Sequence, residues 1–301
     1  MIDFKPVEIM DRLWILPFYE QFEIWGSHQN FVNLFAWAKI YNYQWARFED
    51  YLVIKGELPD RGPYYYYPIG RGDLKQVLSV MKEDARNQEH ELVFCGLSPQ
   101  NMDELKGLFP GSFEFKESRD SFDYVYLLEN MVTLAGKKLH AKRNYINRFI
   151  KRGNWSFEVL SDDNLGECWE MNVEWCKAQG CMDDKNLAKE YCAVHRCFQY
   201  YHELGLEGGL LRLEGRVIAF TMGSKLNSNT YNIHIEKAFG EIQGSYQMIN
   251  REFAAYIQKK HPEIIYLNRE EDMGYEGLRK AKLSYNPVRM EEKFIAIYTG
   301  D

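Results

Sequence analysis

Apolar residues recur along this chain with two periods, and the places where the period changes divide it into elements. In "SHQNFVNLFAWAKIYN", Phe31, Leu34, Phe35 and Ala38 keep the three-to-four-residue spacing of a helix with one buried face. Three short runs rich in aromatic and β-branched residues follow, "YQWARF", "YLVIKG" and "YYYYPI", and read as strands. "DLKQVLSVMKEDA" returns to the helical period. Next come a strand "LVFCGL", a short helix opened by Ser98 and Pro99, and two strands, "FEFKE" and "DYVYLL".

The second half repeats that order. "WSFEVL" reads as a strand, residues 163 to 203 as two helices, and "GGLLRLEG", "RVIAFTMGSKL" and "TYNIHIEKA" as three strands. A helix starts near Gly244, followed by a strand "IIYLN" and a short helix "YEGLRKAKL". The last strand is "VRMEEKFIAIY", alternating at Met290, Phe294, Ala296 and Tyr298. The halves share element order and almost no residues, which predicts an α/β protein built from two copies of one unit. The expected division is 1–132, a connecting basic helix over 133–153, and 154–301.

Each half carries a glycine turn between its third strand and the next helix. In the second half the turn is Gly244-Ser245-Tyr246; in the first it is Gly70-Arg71-Gly72, with Asp73 as the expected N-cap. Exposed amides and the dipole at a helix start attract anions, so either turn could seat a phosphate; a turn that only caps its helix is the plainer reading.

Composition narrows the class. The chain has 301 residues, 46% of them hydrophobic, enough for a large core. No apolar run approaches the length of about 20 residues that spans a bilayer, and "MIDFKPVEIMDR" has acids where a secretion signal is basic and apolar, so a cytoplasmic protein is expected. The net charge of −7 disfavours non-specific coating of nucleic acid but allows a local basic site. Cys168, Cys176, Cys181, Cys192 and Cys197 crowd one helical region without a CxxC pair, and are expected to be reduced and free of metal.

Three stretches carry a family resemblance: "KKLHAKRNYINRF", "HIEKAFGEIQGSYQMINREFA" and "YLNREEDMGYEGLRKAKLSYNP". Together they resemble a bacterial family related to the C-terminal catalytic domain of phosphatidylglycerol lysyltransferases. The resemblance implies a tandem GNAT-like (acyl-coenzyme A N-acyltransferase-like) fold shared with the Fem-type aminoacyl transferases, which move an amino acid from aminoacyl-tRNA to an acceptor. In GNAT enzymes the turn after the third strand holds the pyrophosphate of acyl-coenzyme A. Here that loop reads Glu241-Ile242-Gln243-Gly244-Ser245-Tyr246, with an acid and a tyrosine where a cation or polar residue and a small residue would suit the cofactor. Coenzyme A is therefore not expected at this turn. The remaining role for Gly244 is geometric, with Ser245 or Tyr246 facing a cleft.

Acyl transfer needs charge stabilisation at an ester carbonyl and removal of a proton from the nucleophile. The resemblance puts Lys282 at a lysine shared with the Fem-type enzymes, with Ala281 in place of their aromatic residue. Glu236, beside the second turn, is the candidate base or amine-binding carboxylate. Asn268, Arg269, Asp272 and Arg279 lie at the end of a predicted buried strand, where α/β sheets place their sites; Asp272 is the expected orienter of a substrate amine, and Arg279 an anion contact. The segment "KKLHAKRNYINRFIKR" carries seven lysines and arginines. Projected as a helix, it groups Ala135, Leu139, Ile146 and Ile150 on one face, flanked by Lys142 and Arg143, with Asn147 opposite. A solvated charged face is the plain reading; Lys142 and Arg143 as phosphate contacts is the sharper one.

The function expected is aminoacyl-tRNA-dependent transfer to an acceptor, with the tRNA acceptor end as partner, a phospholipid or nucleotide-linked molecule as acceptor, and no tightly bound cofactor. The alternatives are a coenzyme A-dependent N-acetyltransferase, taking acetyl-CoA at Gly70-Arg71-Gly72, and a non-catalytic protein that binds a nucleotide or lipid headgroup.

Overall fold

The alternating runs pair into two mixed sheets in a computed structural model, which describes residues 2–58, 61–181 and 183–300. The first sheet is built from β1 (Lys5–Pro6), β2 (Gln44–Phe48), β3 (Tyr51–Leu58), β4 (Gly62–Tyr66), β5 (Ile69–Gly70), β6 (Val93–Leu97), β7 (Phe113–Glu117) and the last strand of the chain, β15 (Phe294–Tyr298). Its order is β1-β2-β3-β4-β6-β15-β7, with β5 paired to β3. Helices α1 (Arg12–Gln21), α2 (Phe31–Ala36), α3 (Ala38–Tyr41), α4 (Leu74–Asn87) and α5 (Pro99–Leu108) accompany it. Val77, Leu78, Met81 and Ala85 recur at helical spacing on α4 and close the core over Val53, Tyr65, Phe94 and Ala296.

The second sheet contains β8 (Asp123–Leu127), β9 (Trp155–Val159), β10 (Glu207–Leu213), β11 (Arg216–Lys225), β12 (Thr230–Ala238), β13 (Tyr266–Asn268) and β14 (Arg289–Glu291), in the order β14-β8-β13-β12-β11-β10-β9. With it go α6 (Leu128–Thr133), α7 (His140–Ile150), α8 (Asp162–Gln179), α9 (Lys185–Gln199), α10 (Ser245–Lys260) and α11 (Glu276–Leu283). Phe198 of α9 meets Phe220 of β11 edge to face, whereas Phe253 of α10 meets Tyr231 of β12. Phe220 and Tyr231 lie on opposite faces of the pleat, so the sheet is covered on both sides.

Five features differ from those expected from the sequence. By contacts the chain divides into residues 1–123, 271–275 and 290–301 on one hand, and 124–270 and 276–289 on the other, which differs from cuts at 132 and 153. "VRMEEKFIAIY" is two strands, β14 and β15, in different sheets. The basic helix is shorter than 133–153, because Leu134 takes a left-handed conformation (φ 49°) that ends α6 before α7 begins. On α7, Phe149 is buried and Ile150 is exposed, so the apolar face is rotated from the projected one. Finally, Cys176 and Cys181 form a disulfide. Gly180 caps α8 with φ 68° and the Cys181 amide donates to the Cys176 carbonyl at 3.0 Å, so the chain folds back and sets the two Cα atoms 5.1 Å apart. Cys95, Cys168, Cys192 and Cys197 are free thiols.

Candidate functional site

The second sheet opens where its parallel pair β12–β13 stops. Strands β12 and β13 pair as Thr230↔Tyr266, Tyr231↔Leu267 and Asn232↔Asn268, after which β12 continues to Ala238 paired with β11 but no longer with β13. The buried Asn268 ends the ladder by accepting the Glu270 amide on its side chain at 2.8 Å. Beyond it, Lys282 of α11 donates to the carbonyls of Arg269 at 2.6 Å and Glu270 at 3.1 Å. A buried ammonium thus meets two main-chain carbonyls beyond the β12–β13 ladder, that of Glu270 also accepting from the Tyr124 amide at 3.2 Å, and holds the segment carrying Arg269 and Glu270 in place.

A β-bulge decides which side chains face this opening. Met222 pairs with Ile235 and Gly223 with Ile233, so His234 is an extra residue on β12. The pleat shifts phase there. Glu236 consequently shares a face with Tyr231 and Ile233, toward α10, instead of with Asn232.

On that face the Glu236 carboxylate is held from both sides. Arg269 donates to one oxygen at 2.7 Å and Asn250 of α10 to the other at 2.9 Å. The guanidinium lies 5.1 Å from the Tyr285 ring centroid and 5.7 Å from that of Tyr126, and the Lys142 ammonium lies 4.1 Å from the Tyr285 ring. Burial is the largest influence and works against the charge on Arg269, but Glu236 together with Tyr126 and Tyr285 outweighs it, and the pKa is raised. Lys142, half-buried and near that guanidinium, has its pKa lowered by burial first and by Arg269 second. Two buried polar atoms of this group have no protein partner: Nη1 of Arg269 and Oδ1 of Asn250. Leaving each unmatched costs roughly 1–3 kcal/mol, so the pair is suited to a molecule that offers an acceptor to one and a donor to the other.

The glycine turn lies against α7. Gly244 has φ 93°, and a Cβ there would stand 2.7 Å from the Tyr145 carbonyl oxygen and 3.0 Å from the Phe149 Cβ. Ser245 is buried, with its hydroxyl donating to the Phe239 carbonyl at 2.9 Å. Tyr246 has its pKa raised by burial, against hydrogen bonds from Trp175 and the Ala238 backbone. The first-half turn is capped by its own residues: Asp73 accepts the Gln76 amide at 3.1 Å, and Tyr51 donates to the Gly72 carbonyl at 3.2 Å.

Of the residues singled out in the sequence, the structure brings together Glu236, Arg269 and Lys142, with Asn268 and Lys282 fixing the segment that carries Arg269. Arg143 donates to the carbonyls of Leu134 and Gly136 and so ties the link between α6 and α7. Asn147 is exposed on α7 and Arg279 is half-buried on α11. Asp272 belongs to the first contact unit, where it is fully buried, pairs with Arg119 at 3.3 Å and accepts the Gly274 amide at 2.9 Å. Three participants went unread: Tyr126, Tyr285 and Asn250. The available signal for Asn250 was a polar residue inside the apolar stripe of Met248, Phe253, Ala254 and Ile257.

Residues 19–297 match the family described as phosphatidylglycerol lysyltransferase, C-terminal. The chain belongs to this family. A crystal structure of a conserved protein of unknown function from Bacteroides thetaiotaomicron VPI-5482 is 39% identical, with a TM-score of 0.94, over 99% of this chain and 100% of that one. The C-terminal domain of a putative lysylphosphatidylglycerol synthetase from Agrobacterium fabrum is 14% identical, with a TM-score of 0.65, over 88% of this chain and 87% of that one. FemX is 12% identical, with a TM-score of 0.63, over 99% of this chain and 98% of that one. The fold is the tandem GNAT-like one expected. An uncharacterised protein of Mycoplasmoides gallisepticum is 24% identical over 177 residues, so the match spans 58% of this chain and about half, 56%, of that protein. Among the described residues, no helix is long and apolar enough to cross a membrane, and no group of three or more His, Cys, Asp and Glu is placed to hold a metal.

Proposed function

We propose that this family member is an aminoacyltransferase that takes an amino acid from aminoacyl-tRNA and transfers it to an amine or hydroxyl acceptor. The observation that carries the reading is the Glu236–Arg269–Asn250 group at the opening of the second sheet. An aminoacyl ester has a carbonyl oxygen that suits the unmatched Nη1 of Arg269, and an ammonium that suits the unmatched Oδ1 of Asn250 and the carboxylate of Glu236. As the acceptor attacks, the ester carbon–ribose oxygen bond breaks and the acceptor's proton passes to the departing ribose hydroxyl. Charge that builds on the carbonyl oxygen meets a guanidinium already fixed by its carboxylate and two tyrosine rings. Lys142, beside Tyr285, supplies a cation for the terminal phosphate. A tRNA acceptor end is therefore the partner, and a phospholipid or nucleotide-linked molecule the acceptor.

Charged and uncharged tRNA compared by filter binding test this. The wild type should retain aminoacyl-tRNA at least tenfold better than the uncharged form. Glu236→Gln should abolish the preference and leave binding of uncharged tRNA unchanged. Equal retention of both forms by the wild type, or tight binding of acetyl-coenzyme A in their place, would overturn the reading.

A further inference from the structure

The opposite face of β12 carries a second set of groups that the aminoacyl reading does not use. Ser224 of β11 is the cross-strand partner of Asn232. Its hydroxyl oxygen lies 2.8 Å from Nε2 of His234, the extra residue of the bulge. Nδ1 of the same ring lies 3.1 Å from a carboxylate oxygen of Glu270. Asn232 donates to that oxygen at 2.6 Å. Arg269 and Glu270, consecutive beyond the end of β13, thus serve different faces of β12.

The carboxylate sets the direction of the protons. Glu270 accepts from the Asn232 amide at 2.6 Å, and His234 Nδ1 lies 2.9 Å from that amide nitrogen and 3.1 Å from the carboxylate oxygen; the negative charge of the carboxylate favours the tautomer with its proton on Nδ1, which leaves Nε2 as the basic nitrogen facing the Ser224 hydroxyl. The imidazole side chain is 2% exposed and the Glu270 side chain 20%, so the relay works away from bulk water with its acid end at the surface. Each link is within hydrogen-bond reach, with hydroxyl, base and orienting carboxylate in sequence.

We propose that Ser224 is an activated nucleophile that accepts the acyl group of a small oxygen ester. The hydroxyl oxygen bonds to the ester carbonyl carbon while its proton passes to Nε2. The ester carbon–oxygen bond then breaks, and Nε2 returns the proton to the departing alcohol. Water attacks the acyl-serine, gives its proton to Nε2 and releases the carboxylic acid; that proton then restores the Ser224 hydroxyl. Ser224 is 9% exposed, which restricts the substrate to a small acyl group. The site stands apart from the aminoacyl reading, since it requires no tRNA and none of Glu236, Arg269 or Asn250.

The test is labelling of the full chain with a small alkyl fluorophosphonate, followed by intact mass and peptide mapping, with p-nitrophenyl acetate hydrolysis measured alongside. The folded wild type should gain one adduct, on Ser224, and Ser224→Ala none. His234→Gln should slow labelling about a hundredfold, and Glu270→Gln, which acts only through the histidine, should slow it at least tenfold while keeping a far-UV spectrum like that of the wild type. Ser224→Ala removes one hydroxyl and keeps the packing, so it decides the matter even if a relay variant fails to fold. A folded wild type that takes up no probe, or that is labelled as fast as Ser224→Ala, would overturn the assignment, whatever the tRNA experiment gives.

Discussion

His28 is a histidine that the fold keeps neutral. It is buried in the first unit against Gly26 and Gly96, where an added Cβ would come within 2.5 and 2.6 Å of the ring, and burial, with Lys293 second, pushes its pKa down to about 3. Below its ordinary value of 6.5 the unfolded chain protonates this ring, whereas the folded chain does so only near 3. Stability is therefore lost as pH falls through that interval, and is untouched above it, at roughly 1.4 kcal/mol per pH unit. Between pH 7.5 and pH 5 the wild type should lose about 2 kcal/mol more stability to urea than His28→Gln does; equal losses would contradict this. Residues of the second unit show why such roles resist reading from sequence. Lys282 and Arg143 were legible as cations, but their partners are main-chain carbonyls of Arg269, Glu270, Leu134 and Gly136, which carry no residue signature. Glu236 was legible because it stands beside a glycine turn. Asn250 reaches it, and Tyr285 reaches its partner Arg269, from parts of the chain whose packing no local pattern specifies.

Among elements, the contact of α7 with the start of α10 tests most directly what the second glycine turn does. Gly244 combines a left-handed backbone with a close approach to the Tyr145 carbonyl and Phe149. Gly244→Ala should therefore lower stability by about 2 kcal/mol or more, combining backbone strain with displacement of α7. Gly240→Ala, at a residue with open space around it and no positive φ, should stay within about 0.5 kcal/mol. Thermal melts of the two variants make the comparison; similar midpoints would mean that α7 yields easily. The turn and its helix were legible from "GEIQGSYQMINREF", because glycine before an apolar 3.6-residue stripe has a local cause. That α7 fills the space beside it was not, since the contact joins distant parts of the chain. The bulge at His234 was equally hidden: a single unpaired residue leaves the apolar pattern of "TYNIHIEKA" almost unchanged, yet it turns Glu236 toward α10 and leaves His234 with Ser224.

For the whole molecule, connectivity governs which pieces can exist alone. The repeated element order made two sheets legible, yet the chain does not finish one before beginning the other. β15, the last strand, lies between β6 and β7 in the first sheet, while β8, from the first half, lies between β14 and β13 in the second. Two neighbouring strands flank each of these positions, so removing either strand exposes backbone donors and acceptors along two edges. Periodicity reports that a strand exists and which of its faces is apolar; it cannot report which sheet takes the strand, because Phe294, Ala296 and Tyr298 would fit either core. A fragment of residues 154–301 keeps all of β9 to β13 but lacks β8, and carries β15 without the strands it pairs with. It should be insoluble or melt without cooperativity. Residues 124–289 contain nearly all of β8, the strands β9 to β13 and every helix from α6 to α11, and should give a soluble fragment with a cooperative transition and retained Glu236, Arg269 and Ser224 contacts. Far-UV circular dichroism with thermal melting compares the two. Cooperative unfolding of 154–301 would show that the second sheet does not depend on the strand supplied by the first half, and collapse of 124–289 would show that the second unit does not fold by itself.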